Sequence, residues 1–361
     1  MSQPLPMDSF AWLTEDEFDG LDISNVPEDS DIGYILEVDL EYPAELHDLH
    51  SDFPLCPEKL KVTDDMLSPY CQQLKEDLAL KEPSIGKLIP NLHNKTRYIL
   101  HYKNLKLYLD LGMKLTKVHR VLTFQQSPWL KEYIDFNTEK RKQAANDFEK
   151  DFFKLLNNAV FGKTMENLHN RVNIELVTTE KRLRKLTKAP SFDHFRIFTP
   201  EIAGVNLKKT TLYLNRPIYA GFTILELSKV LMFDFYYNHI KAKYGSLAKL
   251  LFSDTVSLCL EVKTEDIYVD MTRDAQLFDF SEYATDHLLY STENKKVIGK
   301  FKDKTHGIPI KEFVGLRPKM YSLLYSENNK TTEKKVAKGI AKHVTKQKIR
   351  HEHYKQCLFH Q

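Results

Sequence analysis

Residues 248–262 read AKLLFSDTVSLCLEV, two apolar runs joined by the polar tip Ser253-Asp254-Thr255. Apolar runs broken by a short turn-forming segment predict a β-hairpin. The stretch before it, LELSKVLMFDFYYNHIKAKYG, reads as an amphipathic helix closed by Gly245. A helix that delivers the chain into a hairpin commits it to a mixed α+β fold. It also leaves one acidic residue, Asp254, at an exposed tip. Such a residue is either an ordinary turn aspartate or half of a metal site, because hard cations take carboxylate ligands.

Other segments carry equally local signals. GYILEVDLEYP sets Tyr34, Leu36, Val38 and Leu40 against Ile35, Glu37, Asp39 and Glu41, a half-buried strand over 33–42 ended by Pro43. Residues 8–32 predict a loop with one short helix, and DDMLSPYCQQLKEDLAL is helix-like. Then come a strand at 97–102, a helix at 104–111 stopped by Gly112, and a β-branched strand at 114–124. Two antiparallel helices are expected within 125–170, reversing at Asn137 to Lys142. The second starts near Asn146 and lines up Phe148, Phe152, Leu155, Leu156 and Ala159. Residues 172–225 read as short strands and loops, 267–271 as a strand, 294–326 as strand-like, and the last thirty residues as Lys-rich helix.

Composition narrows the class. With 361 residues, 42% hydrophobic, the chain can bury a core and is expected to form two or three lobes. No apolar run is long enough to span a bilayer and no signal peptide opens the sequence. Cys56, Cys71, Cys259 and Cys357 are scattered without metal-ligand spacing, and read as buried, reduced thiols of an intracellular protein. The net charge of +2 hides a division: residues 1–58 hold 16 Asp or Glu and no Lys or Arg. The other 303 residues therefore carry 52 basic against 34 acidic side chains, a net of +18. That body suits a polyanion partner, or is simply a solvated lysine-rich surface.

Two constellations could carry chemistry. In KLLNNAVFGK, Lys154, Asn158 and Phe161 stand at spacings of four and three, on one helical face. A cation, an amide and a ring there can grip phosphate, sugar and base, or can be an ordinary amphipathic surface. In Arg317-Pro318-Lys319-Met320-Tyr321, Lys319 and Tyr321 are two apart and, in a strand, point to one side, which suits a phosphate-backbone contact.

In order along the chain, KLLNNAVFGKTMEN, LLFSDTVSL and LRPKMYSL resemble motif B (K-x-x-x-N-S-x-Y-G), motif C (Y-x-D-T-D-S) and the K-x-Y element of family B DNA polymerases. The flanking MSQPLP, EVDLEYP, LTKVHRVLTFQQSPWL and DFNTEKR are similar to the protein-primed branch in Maverick or Polinton transposons and adintovirus-like elements. The resemblance covers nearly the whole chain. It implies a right-hand fold: an antiparallel palm sheet including 33–42 and 248–262, helical fingers at 125–170, and a partial helical thumb. The implied layout is a palm segment at 1–95, an insertion and fingers with motif B at 96–171, and a second insertion-like segment at 172–225. Palm with motif C and K-x-Y follows at 226–321, and thumb at 322–361.

The resemblance also implies roles. Lys154 and Asn158 would contact an incoming triphosphate, with Phe161 in place of the family's Tyr and Ala159 where Ser is common. Arg141 is taken for the basic residue before motif B, with Lys140 and Lys142 as alternatives. Lys319 and Tyr321 would steady the primer strand, with Lys338 and Lys342 on the thumb. Primer–template DNA, a nucleoside triphosphate, a terminal priming protein and a two-Mg²⁺ centre are the implied partners and cofactor, in a nuclear setting, with no membrane.

Two departures stand against activity. Motif A and the exonuclease domain of such polymerases would lie upstream of MSQPLP, so the chain is expected to be a fragment beginning after motif A. Asp39 has an Asp-x-x-Tyr-Pro look but sits in a segment beyond motif A. In motif C, Val256 replaces the second Asp, leaving Asp254 as a weak metal ligand. The expectation is a polymerase by descent with little or no catalysis. The alternative is a non-catalytic DNA-binding remnant.

Overall fold

The computed structural model describes residues 1–81, 86–327 and 330–359. The first six strands are β1 (Leu5–Trp12), β2 (Ile32–Glu41), β3 (Glu58–Leu60), β4 (Lys87–Ile89), β5 (Lys95–His101) and β6 (Lys114–Ser127). They are followed by β7 (Val172–Val177), β8 (Phe192–Thr199), β9 (Ile202–Lys208), β10 (Ala248–Ser253) and β11 (Leu258–Val262). The last three are β12 (Ile310–Arg317), β13 (Met320–Glu327) and β14 (Lys330–Ala337). The helices begin with α1 (Glu15–Asp19), α2 (His47–His50), α3 (Pro69–Asp77), α4 (Tyr102–Asp110), α5 (Lys131–Gln143) and α6 (Asp147–Thr164). They end with α7 (Glu180–Thr187), α8 (Ile218–Asp234), α9 (Ala242–Tyr244), α10 (Ile267–Arg273), α11 (Lys342–Gln347) and α12 (His351–Phe359). Two compact units result, residues 1–6 with 128–224, and residues 7–127 with 225–361.

The larger unit is built on a four-stranded sheet, in the order β1-β6-β2-β5, with β2 antiparallel to both neighbours. The alternation in β2 does what its sequence predicts. Leu36, Val38 and Leu40 are buried beneath α4, whose Tyr102, Leu105 and Tyr108 join the same core. On the other face, Glu37 accepts from Arg120 Nε at 2.7 Å, and Asp39 from the Arg97 backbone N–H at 2.7 Å. Gly112 stops α4 with φ +97°, a conformation that favours glycine.

A second tie fixes the chain leading into the opening hairpin. Helix α8 passes into a π-helical stretch, Phe235–Lys241, whose Phe235, Tyr236, Tyr237 and Ile240 are buried. Asp52 accepts from Tyr236 OH at 2.9 Å, Lys241 Nζ at 3.0 Å and the Leu250 N–H at 3.4 Å. One carboxylate thus holds the π-helix against strand β10. Upstream on α8, buried Glu226 accepts from Asn104 Nδ2 at 2.8 Å and pairs with Lys229 Nζ at 2.6 Å.

In the smaller unit α5 and α6 form a helical hairpin, and strands β7-β9-β8 form a sheet. Helix α7 covers that sheet through Leu183 and Leu186 against Val177, Ala203, Val205 and Leu207.

Several local expectations are corrected. Residues 8–12, expected as loop, belong to strand β1. In the 64–80 segment the α-helix is confined to Pro69–Asp77, where the Ser68 hydroxyl accepts from the Cys71 N–H. Helix α5 runs through Asn137 to Gln143, because Thr138 Oγ1 donates back to the Ile134 carbonyl at 2.7 Å and turns no reversal. The reversal falls just before Asn146, which caps Glu149 N–H while Glu149 caps Ala145 N–H. The apolar row on α6 faces outward, with Phe148 and Leu155 exposed. Residues 172–225 contain helix α7, capped by Thr179. Residues 267–271 are helical, because the Asp266 carboxylate accepts from the Tyr268 and Val269 N–H groups. Strands 33–42 and 248–262 lie in separate sheets, while 95–127 pairs with 32–41. The Lys-rich C-terminal segment begins as strand β14, where Thr331, Thr332 and Val336 favour extended backbone, before two short helices. Cys56 and Cys259 are buried thiols, but Cys71 and Cys357 are exposed. Among the described residues no helix is long and apolar enough to cross a membrane.

Candidate functional site

Strands β10 and β11 pair antiparallel as far as Ser253 opposite Leu258, with a bulge between Leu250 and Phe252. The tip is tight. Val256 N–H donates to the Asp254 carbonyl at 2.6 Å around Thr255, whose φ is +53°, so three residues close a γ-turn. Asp254 N–H donates to the Ser257 carbonyl at 3.0 Å. The side chain of Val256, a residue 62% exposed, offers no ligand atom there.

Strands β12 and β13 form a second hairpin closed by Arg317 opposite Met320. Lys319 therefore occupies the two-residue turn with Pro318, at φ +61°, rather than a strand as its spacing to Tyr321 suggested. Proline followed by a positive-φ residue is the pattern of a type II turn. The Lys319 carbonyl accepts from the Lys338 N–H at 2.9 Å, so the turn after β14 joins the same corner.

The two tips meet. Lys319 Nζ lies 3.5 Å from Asp254 Oδ1, with both side chains about half exposed, 53% and 46%. Beneath them Phe252 stacks on Tyr321 at 4.3 Å between ring centroids and on Phe313 at 5.6 Å. Stacked rings fix the separation of the hairpins more firmly than one solvated ion pair. Burial, and then the Asp254 charge, raise the Tyr321 phenol above its ordinary pKa and keep it protonated.

This donor set is poor for a metal centre. Asp254 is one carboxylate, its neighbour two positions on is valine, and a lysine ammonium stands against it. Among the described residues no group of three or more His, Cys, Asp or Glu side chains could hold an ion. Asp39 does not complete the set, since it is engaged by the Arg97 N–H and by His119 Nε2 at 2.8 Å. The residues present do not fit a two-cation site.

The remaining candidates lie as follows. On α6, Lys154 and Asn158 are exposed and Phe161 is half-buried, on a helix whose first turn is well capped. Arg141 is half-buried near the end of α5. Lys338 is exposed in the turn after β14, and Lys342 opens α11. Sequence reasoning missed Phe252, Phe313 and Asp52. Alternation alone placed Phe252 on one side of a strand, and nothing local announces the partners of Asp52.

At the sequence level no family model matches the chain and no curated protein is similar to it. Among solved structures, an orthorhombic crystal form of Phi29 DNA polymerase matches with a TM-score of 0.54 and 13% identity, covering 98% of this chain and 50% of that one. Phi29 DNA polymerase complexed with primer-template DNA and incoming nucleotide substrates matches with a TM-score of 0.56 and 15% identity, again covering 98% and 50%. The chain has a fold like that of part of Phi29 DNA polymerase. It spans about half the length of the structures it matches. At such identities the likeness is one of backbone alone.

Proposed function

We propose that the chain is a catalytically silent, DNA-binding derivative of a family B DNA polymerase of the protein-primed type carried by mobile or viral elements. In this reading the four-stranded sheet and the β10–β11 hairpin are palm, α5 and α6 are fingers, and residues 172–208 are a second insertion. Strand β14 and the last two helices then form the base of a thumb. The observation that carries the proposal is the meeting of Asp254 and Lys319, each from a polymerase-like motif distant from the other in sequence.

Primer–template DNA is the partner of Lys319, Tyr321, Lys338 and Lys342. Between residues 317 and 355 the chain holds 11 Lys or Arg and 3 Asp or Glu, a net of +8, which is the charge balance a phosphate backbone attracts. Lys154, Asn158, Phe161 and Arg141 are proposed to retain nucleotide contacts, and the insertions to derive from surfaces that held a priming protein. Such a role belongs in the nucleus. The surroundings of Asp254, with the Val256 side chain and the Lys319 ammonium beside it, do not fit the two-Mg²⁺ centre of an active polymerase.

Primer extension with Mg²⁺ or Mn²⁺ is expected to yield no product, and clear extension would refute the silent reading. Binding of a primed template is expected at low salt. Its log–log salt slope gains about −0.9 per duplex phosphate contact, so Lys319, Lys338 and Lys342 alone account for about −2.7. Absence of binding at low salt would remove the DNA-binding reading.

A further inference from the structure

We infer that Asp254 is an internal competitor for the DNA phosphate at Lys319: with no metal to neutralise it, its carboxylate occupies the ammonium and holds down DNA affinity. The inference rests on the DNA-binding reading above and adds to it a built-in restraint.

Three observations support it. The Asp254 carboxylate has Lys319 at 3.5 Å as its ion-pair partner, and the tip around it, Ser253, Thr255, Val256 and Ser257, supplies no other charged side chain. Lys319 is presented rather than buried: it projects from a two-residue turn at φ +61°, half exposed, next to exposed Lys338. The Phe252, Tyr321 and Phe313 stack holds the two hairpins together independently of the ion pair. Removing the Asp254 charge therefore leaves Lys319 in place instead of releasing the hairpin.

The consequence runs opposite to that of a metal site. Where a carboxylate recruits cations that bind phosphate, its loss weakens DNA binding. Here the loss of Asp254 strengthens it, because a phosphate oxygen no longer competes with a fixed carboxylate. An exposed pair is worth about 0.2–1 kcal/mol, so freeing Lys319 is expected to tighten binding by about 1.5- to fivefold.

The test is fluorescence anisotropy with a labelled primed duplex in EDTA at low salt. It compares the unaltered chain, Asp254→Asn, Lys319→Ala and the double variant, each checked by circular dichroism. The expected result is tighter binding by Asp254→Asn and no gain from the same change when Lys319 is already Ala. A gain that persists without Lys319 would reduce the effect to general charge removal and overturn the inference while leaving the DNA-binding reading intact. Unchanged or weaker binding by Asp254→Asn would overturn it likewise. If no variant binds, both readings fall.

Discussion

Asp52→Ala is the perturbation that most directly tests how the candidate site is positioned. Its carboxylate side chain is 23% exposed and receives the Tyr236 hydroxyl and the Lys241 ammonium, which is itself only 9% exposed. Truncation leaves the Tyr236 hydroxyl without its acceptor, at a cost of about 1–3 kcal/mol, and removes a charge-assisted bond worth about 1.5–3 kcal/mol. Lys241 keeps the Ala248 carbonyl at 2.9 Å and its place over the Tyr236 ring, which offsets part of that loss. A net destabilisation of about 3 kcal/mol is expected, read from urea denaturation followed by circular dichroism. Hydrogen exchange of residues 248–253 should accelerate more than that of β2, because the Leu250 N–H also loses an acceptor. A double-mutant cycle with Lys241→Met should return a coupling of at least about 1 kcal/mol. A loss below about 0.5 kcal/mol with no change in exchange at 248–253 would refute the claim that Asp52 anchors the π-helix to β10.

The same residue gives a pH prediction. Burial alone would raise the Asp52 pKa, but the bonds from Lys241 and Tyr236 outweigh it and hold the carboxyl below its ordinary value. Its contribution is therefore complete above the ordinary carboxylate pKa of about 4 and is lost as pH falls through the lower folded value. Asp52→Asn should flatten the acid limb of the stability profile, and an unchanged limb would contradict the assignment.

Three further outcomes are expected. Glu226→Ala should cost about 2–4 kcal/mol in thermal denaturation, since Asn104 and Lys229 lose a buried charged acceptor. Gly33→Ala would set its Cβ 2.3 Å from Phe124 Cε2 and 2.7 Å from Gln126 Oε1, an overpacking cost of about 1–3 kcal/mol that Phe124→Leu should partly relieve. Glu166, drawn down to about 2 by Arg171, Lys163 and Arg216, contributes stability that is present above the ordinary glutamate value and lost as pH falls toward 2. Glu166→Gln should remove that dependence in an acid titration of the smaller unit.

Much of the local structure was legible in the sequence. The β2 alternation, the Gly112 stop, the Asn146 start of α6 and the 248–262 hairpin all follow from period-two or helical spacing and from capping chemistry. The errors arose where a side chain's local bond reversed the expectation. Thr138 bonded back into its own helix, and Asp266 capped a helix in a segment rich in strand formers. Lys319 was misassigned because Pro318 and a positive φ turned the chain at the residue whose spacing suggested a strand.

By itself the sequence determined the kinds of elements and the residue types at the 253–257 tip, where Asp254 is the one carboxylate. Those are matters of residue type and near-neighbour spacing. Tertiary structure decided that 32–41 pairs with 95–127 rather than with 248–262, that Asp52 grips a π-helix, and that Asp254 faces Lys319 above a stack of three rings. Such contacts close long loops, and their partners are selected by packing and burial across the whole unit, which no local pattern encodes.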